Sequence, residues 1–157
     1  MTIITVTTPK GRLSSEQRSL LSESLTDAVL VPEVGRSEPR ARFGFQVHFN
    51  ERSLDRIAIG GRLLSDSLEV PDVATIDICV MDAAWPNIVR KQIIENVLSA
   101  MADACDMEEA SPTWWTTFRV IEEGSWGARG STLSILDLLE TGIFTSERIE
   151  KIREALT

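Results

Sequence analysis

The chain has 157 residues, a formal net charge of −8, one histidine and two cysteines. This length suits a single domain that folds without disulfides or a structural metal. An acidic chain with no run of basic residues is not expected to bind nucleic acid, since affinity for phosphates comes largely from Lys and Arg.

Membrane and metal-binding functions are also disfavoured. Within residues 1–30, charged side chains interrupt every apolar stretch before it reaches the length of a signal peptide or a membrane span. We therefore expect a cytoplasmic protein without membrane contact. Cys79 and Cys105 are too far apart for a CxxC motif, and one histidine is too few for a Cys/His zinc site within one subunit. We predict buried thiols, no metal and no cofactor.

The first part of the chain has the pattern of a β-α-β unit. Residues 3–8 are rich in β-branched side chains and predict a strand. Ser14 and Gln17 have the spacing of a capping box, and an apolar helical face follows as far as Pro32. Residues 42–50 alternate between apolar and polar side chains, which predicts a second strand with one face in the core. The predicted core-facing residues are Phe43, Phe45, Val47 and Phe49.

The same order of elements recurs further along the chain. Residues 75–80 alternate as a strand does, and Pro86 suits the first position of a helix. An apolar helical stripe then continues to Cys105, and residues 114–121 predict another strand. The sequence therefore predicts two consecutive β-α-β units.

The two units keep a constant register. Three pairs of matching positions are 72 residues apart: Ile4 and Ile76, Ser14 and Pro86, and Arg42 and Trp114. A constant offset indicates a duplication of pattern, although few residues are identical. We predict one α+β domain over residues 1–157, with pseudo-repeats at 2–61 and 73–130. A tail, 131–157, contains a predicted helix from about residue 145 to residue 155.

Two architectures share this order of elements. One is the ferredoxin-like fold, and the other is the arrangement in which each unit holds two parallel strands around a crossover helix. Periodicity alone does not separate them, and without local motifs it slightly favours the ferredoxin-like fold.

Local motifs resemble those of the tautomerase superfamily. Residues 2–6, Gly11-Arg12 and the following helix are similar to the start of a 4-oxalocrotonate tautomerase unit. Residues 46–51 and 57–61 resemble its second strand, acidic residue and glycine hairpin, and residues 119–130 resemble the same features again. The doubled length is similar to the group that includes cis-3-chloroacrylic acid dehalogenase and malonate semialdehyde decarboxylase. The resemblance implies a tautomerase/MIF-like fold and a homotrimer of double-length subunits.

The resemblance also implies a chemistry whose central residue is replaced. Members of this superfamily use an N-terminal proline as a secondary amine of lowered pKa, and nearby arginines hold the substrate carboxylate. Thr2 stands at the proline position. A free Thr2 amine would be primary, with an ordinary pKa of about 7.7–8.0, whereas retention of Met1 would make the Thr2 nitrogen an amide.

The arginines of the family pattern are only partly present. Arg12 matches the arginine after the first strand and is a candidate for binding a carboxylate; the alternative is a solvated loop cation. Gln46 stands where short tautomerases have a second arginine, and Ile57 replaces their aromatic residue. The two dehalogenase-type arginines would fall at about Ala83 and Pro86, so that carboxylate clamp is missing.

Other side chains are weaker candidates. Trp126 could line a pocket or pack at an interface, and Glu123 could orient a water or simply be a hairpin acid. Arg119 and Arg129 could bind an anion or form exposed salt bridges. His48 is the only imidazole, on the polar face of the second strand, where a structural hydrogen bond is the alternative.

Asp77 is a charge within an apolar strand, so it could line a subunit interface or act as a general base.

Three functions remain open from the sequence. The first is a tautomerase-superfamily protein with weak, altered or absent acid–base activity on a small carbonyl, enol or unsaturated carboxylic acid. If active, it would be an isomerase or a hydratase/lyase. The second is a catalytically silent binding or structural trimer, and the third is a ferredoxin-like binding module. The catalytic candidates are Thr2, Arg12 and Glu123, and the substrate-binding candidates are Gln46, His48, Ile57, Trp126 and Arg119.

Overall fold

The computed structural model describes residues 1–156, and Thr157, the last residue of the predicted domain and tail, lies outside the described part. The first unit consists of β1 (Thr2–Pro9), α1 (Ser15–Val34), β2 (Phe45–Arg52) and a hairpin of β3 (Ala58–Ile59) and β4 (Arg62–Leu63). The second unit consists of β5 (Ala74–Met81), α2 (Asn87–Ala104), β6 (Trp114–Ile121) and a hairpin of β7 (Gly127–Ala128) and β8 (Ser131–Thr132). The tail holds α3 (Ile135–Leu139) and α4 (Ser146–Ala155).

The strand order of the main sheet decides between the two predicted architectures. The order is β2-β1-β5-β6, with β1 parallel to β2, β5 parallel to β6, and β1 antiparallel to β5. The two strands of each unit are therefore neighbours, whereas a ferredoxin-like fold would interleave the strands of its two units. The ferredoxin-like alternative is wrong. Because Thr2 pairs with Val80, the start of β1 lies beside the end of β5.

One face of this sheet and both long helices form the core. The inward residues of β1 and β5 are fully buried, as are those on the facing sides of α1 and α2. Examples are Ile4, Ile78, Leu25 and Val97. Each such side chain contributes about 1.5–3 kcal/mol to folding through removal from water. The opposite face of the sheet carries polar side chains.

The ends of α1 follow local rules. Ser14 and Gln17 form the predicted capping box. The prediction that the helix ends at Pro32 is wrong, because a proline in the last turn removes only its own hydrogen bond and the helix continues to Val34. Gly35, with φ +88°, then ends it in the left-handed conformation. Pro86 caps α2 rather than opening it.

The segment before β2 differs from the prediction. Residues 39–44 form a short 3-10 helix, so residues 42–44 are not strand as predicted, and Phe43 is 98% exposed rather than in the core. The second strand therefore begins at Phe45, 69 residues before β6 begins at Trp114, while β1 and α1 keep the predicted offset of 72. The duplication is thus regular through the first helix, and the following loop differs in length.

The C-terminal tail contains one predicted helix and one that the sequence did not predict. The helix predicted near residues 145–155 is present, and the short helix α3 was not predicted.

Cys79 and Cys105 are partly exposed rather than buried, because Cys79 lies on the polar face of β5 and Cys105 follows the end of α2. Among the described helices, none has both the length and the apolar character needed to cross a bilayer.

Candidate functional site

Two adjoining cavities open where β1 begins. They have volumes of about 320 and 480 Å³ and share Met1, Phe43 and Gly44 in their walls. The smaller cavity has an apolar wall and three charged residues, and the larger one lies against the second hairpin. The apolar wall of the smaller cavity includes Phe43, Phe45, Leu138, Ile143 and Phe144, and its charged residues are Glu33, Arg40 and Arg129.

A buried carboxylate lies at the centre of this region. Glu33, in the last turn of α1, is 1% exposed. Its Oε1 accepts from the α-amino group of Met1 at 3.2 Å, and its Oε2 accepts from the Thr2 hydroxyl at 3.5 Å. A buried charge is costly unless it is paired, and the C-terminal end of a helix disfavours an anion further. The Met1 amino group and the Thr2 hydroxyl therefore hold this carboxylate in place.

The second cation near Glu33 comes from the tail. Arg148 of α4 is 7% exposed and donates through Nε to the Glu33 carbonyl at 2.9 Å. Its Nη2 donates to the Ala83 carbonyl and, at 3.4 Å, to the Ala84 carbonyl. Burial lowers the pKa of Arg148, and the negative charge of Glu33 opposes that shift. The tail is thus anchored between the end of α1 and the loop after β5.

The arginines around the smaller cavity differ in whether they are already paired with a carboxylate. Arg40 donates to Glu38 at 3.0 Å, and this hydrogen bond lowers the pKa of Glu38 to about 2. Arg36 binds the same carboxylate at 2.9 Å. Arg129 is exposed, has φ +55° and forms no ion pair with any residue in 1–156. Arg129 is therefore the cation of this cavity that is free to bind an anion.

Three of the predicted site residues lie together. Thr2, Gln46 and Trp126 all line the larger cavity. Thr2 opens β1, Gln46 pairs with Ile3 across the parallel strands, and Trp126 precedes β7. The second hairpin therefore closes over the start of the first unit.

Two other predicted residues lie beyond the opposite end of β1. Arg12 forms a two-pronged ion pair with Asp72, through Nε to Oδ1 at 2.7 Å and Nη2 to Oδ2 at 2.8 Å. This pair raises the pKa of Arg12 and lowers the pKa of Asp72. Ile57 lines a separate cavity of about 300 Å³ with Val73 and Thr75. Neither Arg12 nor Ile57 approaches Thr2.

The remaining predicted residues make local contacts. His48 lies within 2.9 Å of the Gln46 side chain on the exposed sheet face. Arg119 faces Asp77 at 3.9 Å, and Asp77 also accepts from Thr117.

Glu123 accepts from the backbone nitrogen of Ile135 at 3.1 Å, so it caps the short helix α3.

Glu33 and Arg148 were not predicted as site residues. Each leaves a signal in the sequence, because Glu33 follows Val29 and Leu30 on the apolar face of α1, and Arg148 precedes Ile152 by one turn on α4. A charge on an apolar helical face marks a buried polar contact. Within residues 1–156, no cluster of three or more His, Cys, Asp or Glu side chains could hold a metal ion.

Known proteins resemble the chain in structure rather than in sequence. Comparison with protein families and with curated proteins found no match. A native fused 4-OT superposes with a TM-score of 0.67 at 20% identity, covering 83% of this chain and 94% of that one. A member of the cis-3-chloroacrylic acid dehalogenase family has a TM-score of 0.67 at 16% identity, covering 97% and 99%. A wild-type fused 4-OT, described as a symmetric trimer, has a TM-score of 0.66 at 15% identity, covering 85% of this chain and 96% of that one.

These similarities bear on the predicted fold. Each superposition covers nearly the whole length of the known structure, so it includes both β-α-β units of this chain. Together with the strand order, they confirm that the chain has the tautomerase/MIF-like α+β fold of the double-length 4-OT type.

Proposed function

We propose that the chain is a tautomerase-superfamily protein that carries out slow proton transfer on a small carbonyl, enol or unsaturated carboxylic acid, with Glu33 as the acid–base group. The observation that carries this proposal is the position of Glu33. It is buried, it contacts Met1 and Thr2 at the start of β1, and it lines the cavity of about 320 Å³. A carboxylate fixed beside an apolar cavity is suited to move a proton to or from a bound carbon acid.

The cavity supports a small acidic ligand. Its volume is near the lower end of the range of ligand sites, roughly 300–1,000 Å³. The aromatic wall would take the apolar part of the ligand, and Arg129 would hold a carboxylate. Thr2 would orient Glu33 through its hydroxyl, while Gln46 and Trp126 would bound the adjoining cavity.

The assembly and location belong to the same proposal. Fused 4-OT structures that are trimers support a homotrimer of this chain. We also propose a cytoplasmic location, which rests on the composition of the N-terminal residues.

A silent binding trimer is the second candidate. Two observations favour it: Asp72 occupies both prongs of Arg12, and the Met1 amino group neutralises Glu33. In that case, the cavity would bind a carboxylate without turning it over.

Ketonisation of phenylenolpyruvate and 2-hydroxymuconate would distinguish the two candidates. We expect slow turnover that Glu33→Gln abolishes, and an increase in KM for Arg129→Gln with little change in kcat. Arg62→Gln, on the exposed hairpin of β3 and β4 and outside the walls of both cavities, is the matched control and should change neither constant.

Binding of phenylpyruvate, followed by NMR, supplies the second readout. Binding that depends on Arg129 without turnover of either enol would assign the silent function. Turnover that survives Glu33→Gln, or the absence of both turnover and binding, would overturn the proposal.

A further inference from the structure

The two units form equivalent corners at opposite ends of the β1–β5 pair. The first corner lies where β1 starts and contains Met1, Glu33 and Ala84. The second lies where β5 starts and contains Ala74, Cys105 and Arg12. Cys105 follows Glu33 by 72 residues, and Ala84 follows Arg12 by the same number. The residues of the two corners can therefore be compared pair by pair.

In the second corner, the loop after β1 supplies a guanidinium. Nη1 of Arg12 is 3.5 Å from the Cys105 sulfur, and its Nη2 is 3.6 Å from the Met107 sulfur. The same guanidinium lies 5.6 Å from the centre of the Trp114 ring. Arg12 thus contacts the end of α2 and the segment that follows it.

In the first corner, the equivalent loop position is Ala84 and supplies no charge. Arg148 reaches the corner from the tail. It donates to the carbonyls of Glu33 and Ala84, and its Cγ would lie 3.0 Å from a Cβ on Gly35. Glu33 and Gly35 are the counterparts of Cys105 and Met107. Each guanidinium therefore contacts the equivalent residue at the end of a long helix, Glu33 or Cys105, although the two arginines come from unrelated parts of the chain.

We propose that Arg148 is the positioning residue of the first corner, where it replaces the arginine that the duplicated loop lacks. It lies outside the walls of both cavities, so it acts through Glu33 rather than on a ligand. Three carbonyls hold its guanidinium, which fixes the end of α1 relative to the loop after β5. The carboxylate of Glu33 is thereby kept at Met1 and Thr2. The kinetic consequence rests on the proposed function, whereas the placement of Glu33 and Met1 does not.

Methyl-labelled methionine gives a readout that needs no activity. Met1 reports on the first corner and Met107 on the second. In ¹³C-methyl spectra, we expect Arg148→Gln to shift the Met1 signal and to leave Met107 unchanged. Arg12→Gln is the matched control and should do the reverse. An unmoved Met1 signal, or equal shifts of both signals in Arg148→Gln, would overturn the proposal.

A rescue variant sharpens this test. Arginine at position 84 recreates the arrangement of the second corner, and Ala84 already has φ +53°, so another L residue there adds no backbone strain. Ala84→Arg in the Arg148→Gln background should return the Met1 signal towards its original position. Should Arg148→Gln fail to fold, Arg148→Lys keeps the charge with fewer hydrogen bonds and should give a smaller shift. No shift in that variant also overturns the proposal.

Kinetics separate the failure of this inference from that of the proposed function. If phenylenolpyruvate is turned over, Arg148→Lys should lower kcat by about tenfold with KM almost unchanged, because a small displacement of an acid–base group is costly. A change confined to KM would contradict a positioning role. If the wild type does not turn over either enol, the proposed acid–base function fails, while the methionine spectra still decide the role of Arg148.

Discussion

The two corners share a backbone and differ in chemistry. In the first corner, a buried carboxylate faces a cavity and binds the amino group of Met1, while Arg148 of the tail binds the backbone carbonyl of the same residue. In the second, the equivalent side chain is a partly exposed thiol, and the Arg12–Asp72 ion pair closes the corner. The positions of β1 and α1 thus recur in β5 and α2, while individual side chains make only the first corner a candidate site.

The tail accounts for much of the difference. Leu138, Ile143 and Phe144 form part of the wall of the first cavity, and Arg148 supplies its missing guanidinium. The second corner receives its charge from its own loop. A segment outside the repeat has thus made one of two similar corners into the candidate site.

Removal of Glu33 should have the largest effect on stability. Glu33→Ala leaves the Met1 amino group and the buried Arg148 without their anion, and breaking a buried pair in this way costs about 3–5 kcal/mol. The equivalent change, Cys105→Ala, removes a partly exposed thiol and should cost about 1 kcal/mol. Urea unfolding of both variants measures the comparison. Equal losses would show that the first corner has no special electrostatic role.

Attachment of the tail should be the next most sensitive feature. A Cβ on Gly35 would overlap the Thr145 hydroxyl and approach Arg148, and the residue already has φ +88°. We expect Gly35→Ala to cost about 2–3 kcal/mol from strain and overlap together.

Gly142→Ala is the matched control for this prediction. It places a Cβ at φ +71° with no atom within 4 Å and should cost only about 1 kcal/mol. Thermal unfolding of the two variants tests this order. Equal shifts in Tm would mean that Thr145 and Arg148 move away from the new Cβ without loss of stability.

The sequence predicted most of the fold because its signals are local. Alternating side chains and the Ser14 capping box depend on residues close in sequence, and the structure confirms the strands β1 and β5 and the cap of α1. The offset of 72 holds for β1 with β5 and for α1 with α2, but not for β2 with β6. The exposed Phe43 shows the limit of this reasoning. Its alternation with the following strand suggested burial, but Phe43 lies within the 3-10 helix of residues 39–44, and the strand begins only at Phe45.

The site was less accessible from the sequence. Thr2, Gln46 and Trp126 were predicted as site residues from the family pattern, and the structure brings them to one cavity. Glu33 and Arg148 were missed because their contact joins residues 115 positions apart. The periodicity of side chains along a helix or strand gives no information on contacts between residues so far apart in sequence. Only the charge on an apolar helical face indicated that each residue had a buried partner.

Removal of the Arg12–Asp72 ion pair in the second corner should have the smallest effect on stability. Asp72→Asn removes an ion pair whose side chains are both more than a quarter exposed, so solvent screening limits its contribution to about 1 kcal/mol at neutral pH. Since Arg12 lowers the pKa of Asp72, the pair stabilises the fold above the ordinary aspartate value of 3.8. That contribution is lost as pH falls through the lower pKa of the folded state. Urea unfolding should therefore separate wild type and Asp72→Asn at pH 7 and bring them together in acid. A difference that persists unchanged at low pH would mean that Asp72 acts through packing, and that the contrast between the corners does not rest on this charge.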